Sequence, residues 1–188
     1  IALAQADAET ANALAYIACA MYPFEYQGKT NVHLTNVFSR LLGAYIGLAY
    51  SRIVINEENW KPLKPISSTR SGKLAHVTFN VPSGALEFDT NLVKAQDNQG
   101  FDLVDSGGGA LTISSVSITG PNTVKIVAAS TIPAGAVLRY GWTGDAGIGR
   151  YTGPRGNLRD NQGDTLIFDP TGINMPMHNW CLISEWSL

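Results

Sequence analysis

Three histidines, two cysteines and 15 acidic side chains are the residues from which this sequence could build a chemical site. His33 is the best placed of them, in VHLTNVF (32–38), directly ahead of a run with helical apolar spacing. An imidazole titrates near neutrality, so there it could take a proton from a hydroxyl nucleophile and return it to a leaving group. That role needs a carboxylate to orient the ring. The residue three places before His33 is Thr30, which is uncharged, and Glu25 on the same loop is the candidate orienting carboxylate. The alternative is a histidine hydrogen-bonded locally ahead of a core helix. His76 falls on the polar side of an alternating strand, and His178 lies among Met175, Met177, Trp180 and Trp186, where packing is the simpler role.

A second group of candidates sits in the glycine-rich stretch WTGDAGIGRYTGPRGNLRDNQGD (142–164). Trp142, Arg150, Tyr151, Arg155, Asn157, Arg159 and Asp160 combine planar apolar faces with bidentate donors and acceptors, a mixture suited to stacking sugar rings and bonding their hydroxyls. A loop packing on its own domain or on another subunit is the equal alternative. The Gly-x-Gly steps do not follow a strand-to-helix pattern and there is no Gly-Lys-Ser/Thr loop, which excludes a nucleotide site. Asp145, Asp160 and Asp164 lack EF-hand spacing, and Cys19 and Cys181 stand outside any CxxC or Cys/His cluster. No metal and no cofactor is expected, and both cysteines read as buried free thiols.

The elements that must position these residues follow from periodicity. Residues 3–13 read as a helix, and AYIACAMYPF (15–24) as an apolar strand buried on both faces in a parallel sheet. From Thr35 or Asn36, Val37, Phe38, Leu41, Leu42, Tyr45, Ile46, Ala49 and Ile53 recur at helical spacing. WKPLKPISSTRSG (60–72), with two prolines and a polar cluster, reads as a linker. Beyond it the period becomes two, in 73–81, 110–120, 122–130 and 136–142, with a tight Gly120-Pro121-Asn122 turn between the middle pair. The expected fold class is therefore α+β: residues 1–59 as a helix-strand-helix unit of an α/β domain, a linker at 60–72, and an immunoglobulin-like antiparallel β-sandwich at 73–188. One strand and two helices cannot cover their own apolar faces, so the first unit is expected to be the closing piece of a longer domain.

Composition narrows the partners. With 13 basic and 15 acidic residues, a net charge of −2 and no Lys/Arg run, the chain has no electrostatic footprint for nucleic acid or an anionic membrane. Its first stretch is broken by Asp7, Glu9 and Asn12, and no membrane span is expected.

ALAQADAETAN, IACAMYPFEY and VHLTNVFSRLLGAYIGLAYSRIV together resemble the final block of SGNH/GDSL-type hydrolases, of the acetylesterase-like kind found in phage tail proteins and carbohydrate esterases. Val32, His33, Leu34 and Thr35, then Leu42, Gly43 and Tyr45, carry the match, over about residues 1–55. The β-rich part is more loosely similar, through Asn179, Trp180 and Cys181. The resemblance implies a flavodoxin-like α/β domain, a serine carbohydrate O-acetylesterase in the parent protein, and His33 as its base. Family members place a carboxylate where this chain has Thr30, and no Gly-Asp-Ser nucleophile block occurs in these 188 residues, so this chain alone is not expected to catalyse acyl transfer. The reading that follows is the C-terminal portion of a phage tail or related carbohydrate-acting esterase in a virion or outside the cell. Its partners would be a bacterial surface glycan, the preceding part of the same protein, and other copies or a virion protein. A catalytically inactive structural virion or surface protein, or a secreted bacterial carbohydrate esterase with an accessory module, are the alternatives.

Overall fold

The computed structural model describes residues 2–188; Ile1, the first residue of the expected 1–59 unit, lies outside them. Helix is mixed with antiparallel sheet, an α+β chain, and every strand pair among the described residues is antiparallel. One four-stranded sheet runs β1 (Lys64–Ser71), β2 (Leu74–Asn80), β7 (Thr123–Ala128), β6 (Ile113–Gly120). The other runs β12 (Ser184–Ser187), β8 (Val137–Tyr140), β4 (Phe101–Val104), β5 (Ala110–Leu111). Period-two alternation decides which side chains enter: Ala75, Val77 and Phe79 from β2, Val124 and Ile126 from β7, Phe101 and Leu103 from β4, and Leu138 and Tyr140 from β8 share one core. Phe79 meets Phe101 edge to face across it, ring centroids 6.5 Å apart. The turn at 120–122 joins β6 to β7 as the sequence predicts, with Gly120 paired to Thr123.

Two expectations are corrected. Most of the stretch read as a linker is strand β1, with Lys64 paired to Asn80 and Ser71 to Leu74. Its proline is tolerated because β1 is an edge strand and the register slips between Pro65 and Ser67, the bulge and edge setting in which no ladder N–H is needed. Residues 15–24 form no strand. Ala20, Tyr22, Pro23 and Phe24 are buried, while Tyr16 and Met21 are exposed, so this apolar run is not covered on both faces. The Tyr22 hydroxyl donates to the Cys181 carbonyl at 3.0 Å and lies 3.2 Å from the Tyr140 hydroxyl, which ties the run to the core of the sheets.

Helix α1 (Ala2–Ala11) stands close to its expected place. Helix α2 (Asn36–Tyr50) continues through one π-helical turn, Ser51–Ile55. Its inward residues Phe38, Leu41 and Tyr45 form a second core with Phe24, Met175 and Met177. The methionines belong to β11 (Met175–Pro176) and the residues after it, in a long excursion between β8 and β12 that also contains α3 (Gly149–Thr152), β9 (Leu158–Asp160) and β10 (Ile167–Phe168). A second excursion, between β2 and β4, contributes β3 (Leu86–Phe88), which pairs with β9. Helix α2 therefore stands on the β8–β12 excursion rather than on either sheet.

Glu9 fastens α1 to the start of the first sheet. Its buried carboxylate accepts from Lys61 at 3.0 Å and from Lys64. Burial pushes its pKa up, but the two ammonium groups outweigh this and hold it below the ordinary value. A carboxylate depressed in the folded state contributes stability that is present above the unfolded pKa and is lost as pH falls through the folded one. Glu9→Gln should therefore lower stability by about 1–3 kcal/mol at pH 7. Thermal unfolding followed from neutral to acid pH should show the gap to the parent sequence closing below the ordinary carboxylate range.

Candidate functional site

The His33 loop is a short hairpin. Tyr26 bridges to Leu34, flanked by hydrogen bonds from Gln27 N to His33 O (2.9 Å) and from Thr35 N to Glu25 O (3.1 Å). Gly28 takes φ 113° at the tip, a backbone that a side chain would strain. His33 N donates to Asn31 Oδ1 at 2.9 Å, so the main chain of His33 is fixed on both sides. Its side chain is exposed, with no hydrogen bond to the imidazole among the described residues. Thr35 stands at the N-cap position of α2 in extended backbone, but its hydroxyl makes no capping bond.

Glu25 does not meet His33. Its carboxylate accepts from Arg150 Nη2 at 2.6 Å. The Arg150 guanidinium lies between the rings of Phe38 (4.7 Å) and Tyr151 (4.8 Å), and the Arg150 N–H donates to Phe24 O. Gly149 makes this approach possible: it has φ 72°, and a Cβ there would fall 2.7 Å from Phe24 O and from the Tyr26 ring. Arg150 and Glu25 thus clamp α3 to the hairpin, at the edge of a cavity of about 460 Å³ lined by Phe24, Thr35, Phe38, Leu41 and Trp180 among others.

The candidates of 142–164 separate into two groups. Arg155 is 1% exposed and donates to the carbonyls of Lys94, Ala95 and Gly153. Asn157 is 0% exposed; its amide donates to Asp89 O and Val93 O, and its Oδ1 accepts from Gln96 N. Asp160 is also buried, and accepts from Ser83 N, Gln162 N, Asn179 N and Asn179 Nδ2. Burial pushes its carboxyl up despite those donors. Arg159 bonds Asp89 at 2.8 Å, Glu87 at 3.1 Å and His178 Nδ1 at 3.2 Å. These four residues spend their bonds on the protein itself. Trp142 (38% exposed) and Tyr151 (50% exposed) face solvent, and Arg150 is mostly buried in its clamp.

His178 belongs to the same polar cluster. Nδ1 receives N–H donors from Gly163 (3.1 Å) and Arg159, which places the ring proton on Nε2, and burial holds the pKa below its ordinary value. The backbone carbonyl of His178 accepts from the Tyr45 hydroxyl at 2.7 Å, and Gln162 accepts from Arg52 at 2.6 Å. Through these two bonds the tyrosine of the Leu-Gly-x-Tyr segment and the π-helical turn seat α2 on the excursion.

Around Trp142 the structure gathers residues that sequence reasoning missed. Trp142 Nε1 donates to Ser184 O at 3.1 Å, Arg139 lies 4.5 Å over the ring, Arg139 Nε donates to Glu185 at 2.7 Å, and the Thr143 hydroxyl donates to Asp102. Asp102, Arg139 and Glu185 come from three strands and meet only through sheet register, which leaves no local spacing to read.

No family model matches the chain, and no curated protein matches it. Among solved structures, the chain is similar to a carbohydrate acetylesterase from Xanthomonas citri, with a TM-score of 0.52 and 19% identity. The match covers 84% of this chain and 29% of that one, so the chain spans 29% of the length of that esterase. It is a likeness of fold. The N-terminal part of the bacterial S-layer protein SbsC is matched at TM-score 0.35 and 14% identity, over 66% of this chain and 28% of that one. Among the described residues no helix is long and apolar enough to cross a membrane, and no cluster of three or more His, Cys, Asp or Glu side chains could hold a metal.

The burial of Asn157 gives a direct test of its role. Asn157→Ala removes the side-chain partners of Gln96 N, Asp89 O and Val93 O, and should cost about 2–4 kcal/mol of stability by denaturant unfolding. Tyr151→Ala, at an exposed position, should leave the unfolding midpoint nearly unchanged.

Proposed function

We propose that this chain is the closing part of an SGNH-type, acetylesterase-like protein that acts on carbohydrate outside the cell, with residues up to 59 completing the catalytic α/β domain and the two sheets forming an immunoglobulin-like module. The strand orders support the second half of this reading. Taking β1, β2, β4, β5, β6, β7, β8 and β12 as strands A, B, C, C′, D, E, F and G gives one sheet in the order A-B-E-D and the other in the order G-F-C-C′, the immunoglobulin arrangement. The excursion that carries α2 then occupies the F–G connection and the β2–β4 excursion the B–C connection, which lie at the same end of such a fold. The fold likeness to a carbohydrate acetylesterase supports the combination of the two parts.

The observation that carries the catalytic role is His33. It is the base the resemblance calls for, its backbone is pinned by a hairpin braced through Glu25 and Arg150, and its imidazole is left to solvent ahead of α2. In the assembled protein that imidazole would take the proton of a serine hydroxyl as the serine attacks an acetyl carbonyl, then return it to the sugar oxygen that leaves. The serine and the donors for the carbonyl oxygen would come from the preceding part of the protein. With Thr30 in the family's carboxylate position and Glu25 given to Arg150, the ring lacks an anionic partner on this loop. That same observation favours a second reading, a catalytically inactive surface or virion protein.

The two readings separate on the longer protein assayed with an acetylated oligosaccharide. If His33 is the base, His33→Ala lowers kcat by about 10²–10⁴-fold without changing the unfolding midpoint, and Thr30→Asp raises kcat. Hydrolysis unaffected by His33→Ala would remove the base assignment. An inactive parent that gains no activity from Thr30→Asp would favour the structural reading.

A further inference from the structure

The second sheet spends its inner face on the core, and its outer face carries a charged row. Register sets Asp102 of β4 beside Arg139 of β8, and Arg139 beside Glu185 of β12. Trp142 covers the middle of this row: its indole stacks on Arg139, and its N–H bond to Ser184 O holds the ring in one orientation. Gly141, at φ 71°, provides the turn that folds Trp142 back from the end of β8 over the sheet. The Thr143 hydroxyl holds Asp102 through Oδ2. Between this row and residues 110–113 lies a cavity of about 460 Å³, with Asn98 at its rim. That volume is within the range of small-molecule sites. Asn98 at the rim and Gln99 next to it in sequence take φ 50° and 60°, two successive non-glycine residues in the left-handed region, a cost of a kind concentrated at ligand sites.

We infer that this cavity binds a neutral sugar ring, with the ring's C–H face against the Trp142 indole and adjacent hydroxyls bonded to Asp102 and Arg139. The chemistry selects that class. The indole offers an apolar face to C–H groups, while a carboxylate beside a guanidinium supplies the acceptor and the donors that a pair of neighbouring hydroxyls requires. Two carboxylates, Asp102 and Glu185, face one guanidinium, so the row has a net negative charge that disfavours anionic sugars. This inference rests on reading the chain as part of a carbohydrate-acting protein, and it is independent of whether His33 is catalytic.

The test uses the 188-residue chain itself, titrated with cellotriose, maltotriose, mannotriose and chitotriose and followed by amide and indole chemical shifts. At least one trisaccharide should bind in the micromolar to millimolar range and shift Trp142 Nε1–H together with the amides of Asp102 and Thr143. Trp142→Ala should weaken that binding at least tenfold. Asp102→Asn, which keeps the shape and removes the charge, should weaken it several-fold, and both variants should remain folded, with the amide shifts of β2 and β7 unchanged from the parent. Absence of shifts with all four sugars up to about 10 mM, shifts confined to other surfaces, or binding unaffected by both substitutions would overturn the assignment. Hydrolysis unaffected by His33→Ala would remove the base assignment and leave this result untouched, so the two failures are distinguishable.

Discussion

The largely buried guanidinium of Arg159, its side chain 11% exposed, is the joint on which the arrangement depends. It lies on β9, the strand that joins the β8–β12 excursion to β3, and it bonds Asp89 beside β3 and His178 in the segment that receives α2. Burial pushes the Asp89 carboxyl up, but the N–H groups of Leu92 and Asn91 and the Arg159 charge reverse this and hold it below the ordinary range. A buried charge pair is maintained at a desolvation cost that only complete hydrogen bonding offsets. Asp89 accepts from Asn91 N, Leu92 N and Arg159, and Arg159 also donates to the Asp160 carbonyl, so little of either group is left unpaired. Asn157 and Arg155 extend the same network by satisfying backbone carbonyls of residues 89–95, a stretch without regular secondary structure of its own.

From this joint the two apolar cores acquire a fixed relation. Tyr22 reaches from the N-terminal segment into the core of the sheets, and Tyr45 reaches from α2 to the carbonyl of His178. The helical unit and the sheets are therefore one structural body despite their different periodicities. The hairpin that presents His33 inherits its position from this seat through Phe24, Glu25 and Arg150.

The sequence made some of this legible and concealed the rest for identifiable reasons. Alternation located β2, β6, β7 and β8, because one face of each is buried and the other is wet. Helical spacing located α2. Strand β1 was hidden by Pro65, which only the edge position and bulge make acceptable. Residues 15–24 were read as a doubly buried strand because composition does not reveal that part of the run stays exposed. At the site, His33 was visible through its position ahead of a helix. The engagement of Glu25 by Arg150 was not, because the two lie far apart in sequence. Arg155 and Asn157 belong to residue types that are usually exposed, and their burial depends on distant carbonyls that no local pattern announces.

The central claim is that a buried polar joint, rather than apolar packing alone, seats the helical unit that carries His33. Native-state hydrogen exchange on Arg159→Met tests it most directly, because the substitution keeps a long apolar stem and removes the charge and its donors. The account predicts that amides of α2, and of the excursion from Leu158 to Asn179, lose protection together, while amides of β2 and β7 in the sheet core keep theirs. Full protection of α2 in the variant would contradict it, and would mean that Phe24, Phe38, Leu41 and the two methionines hold the helix without the joint.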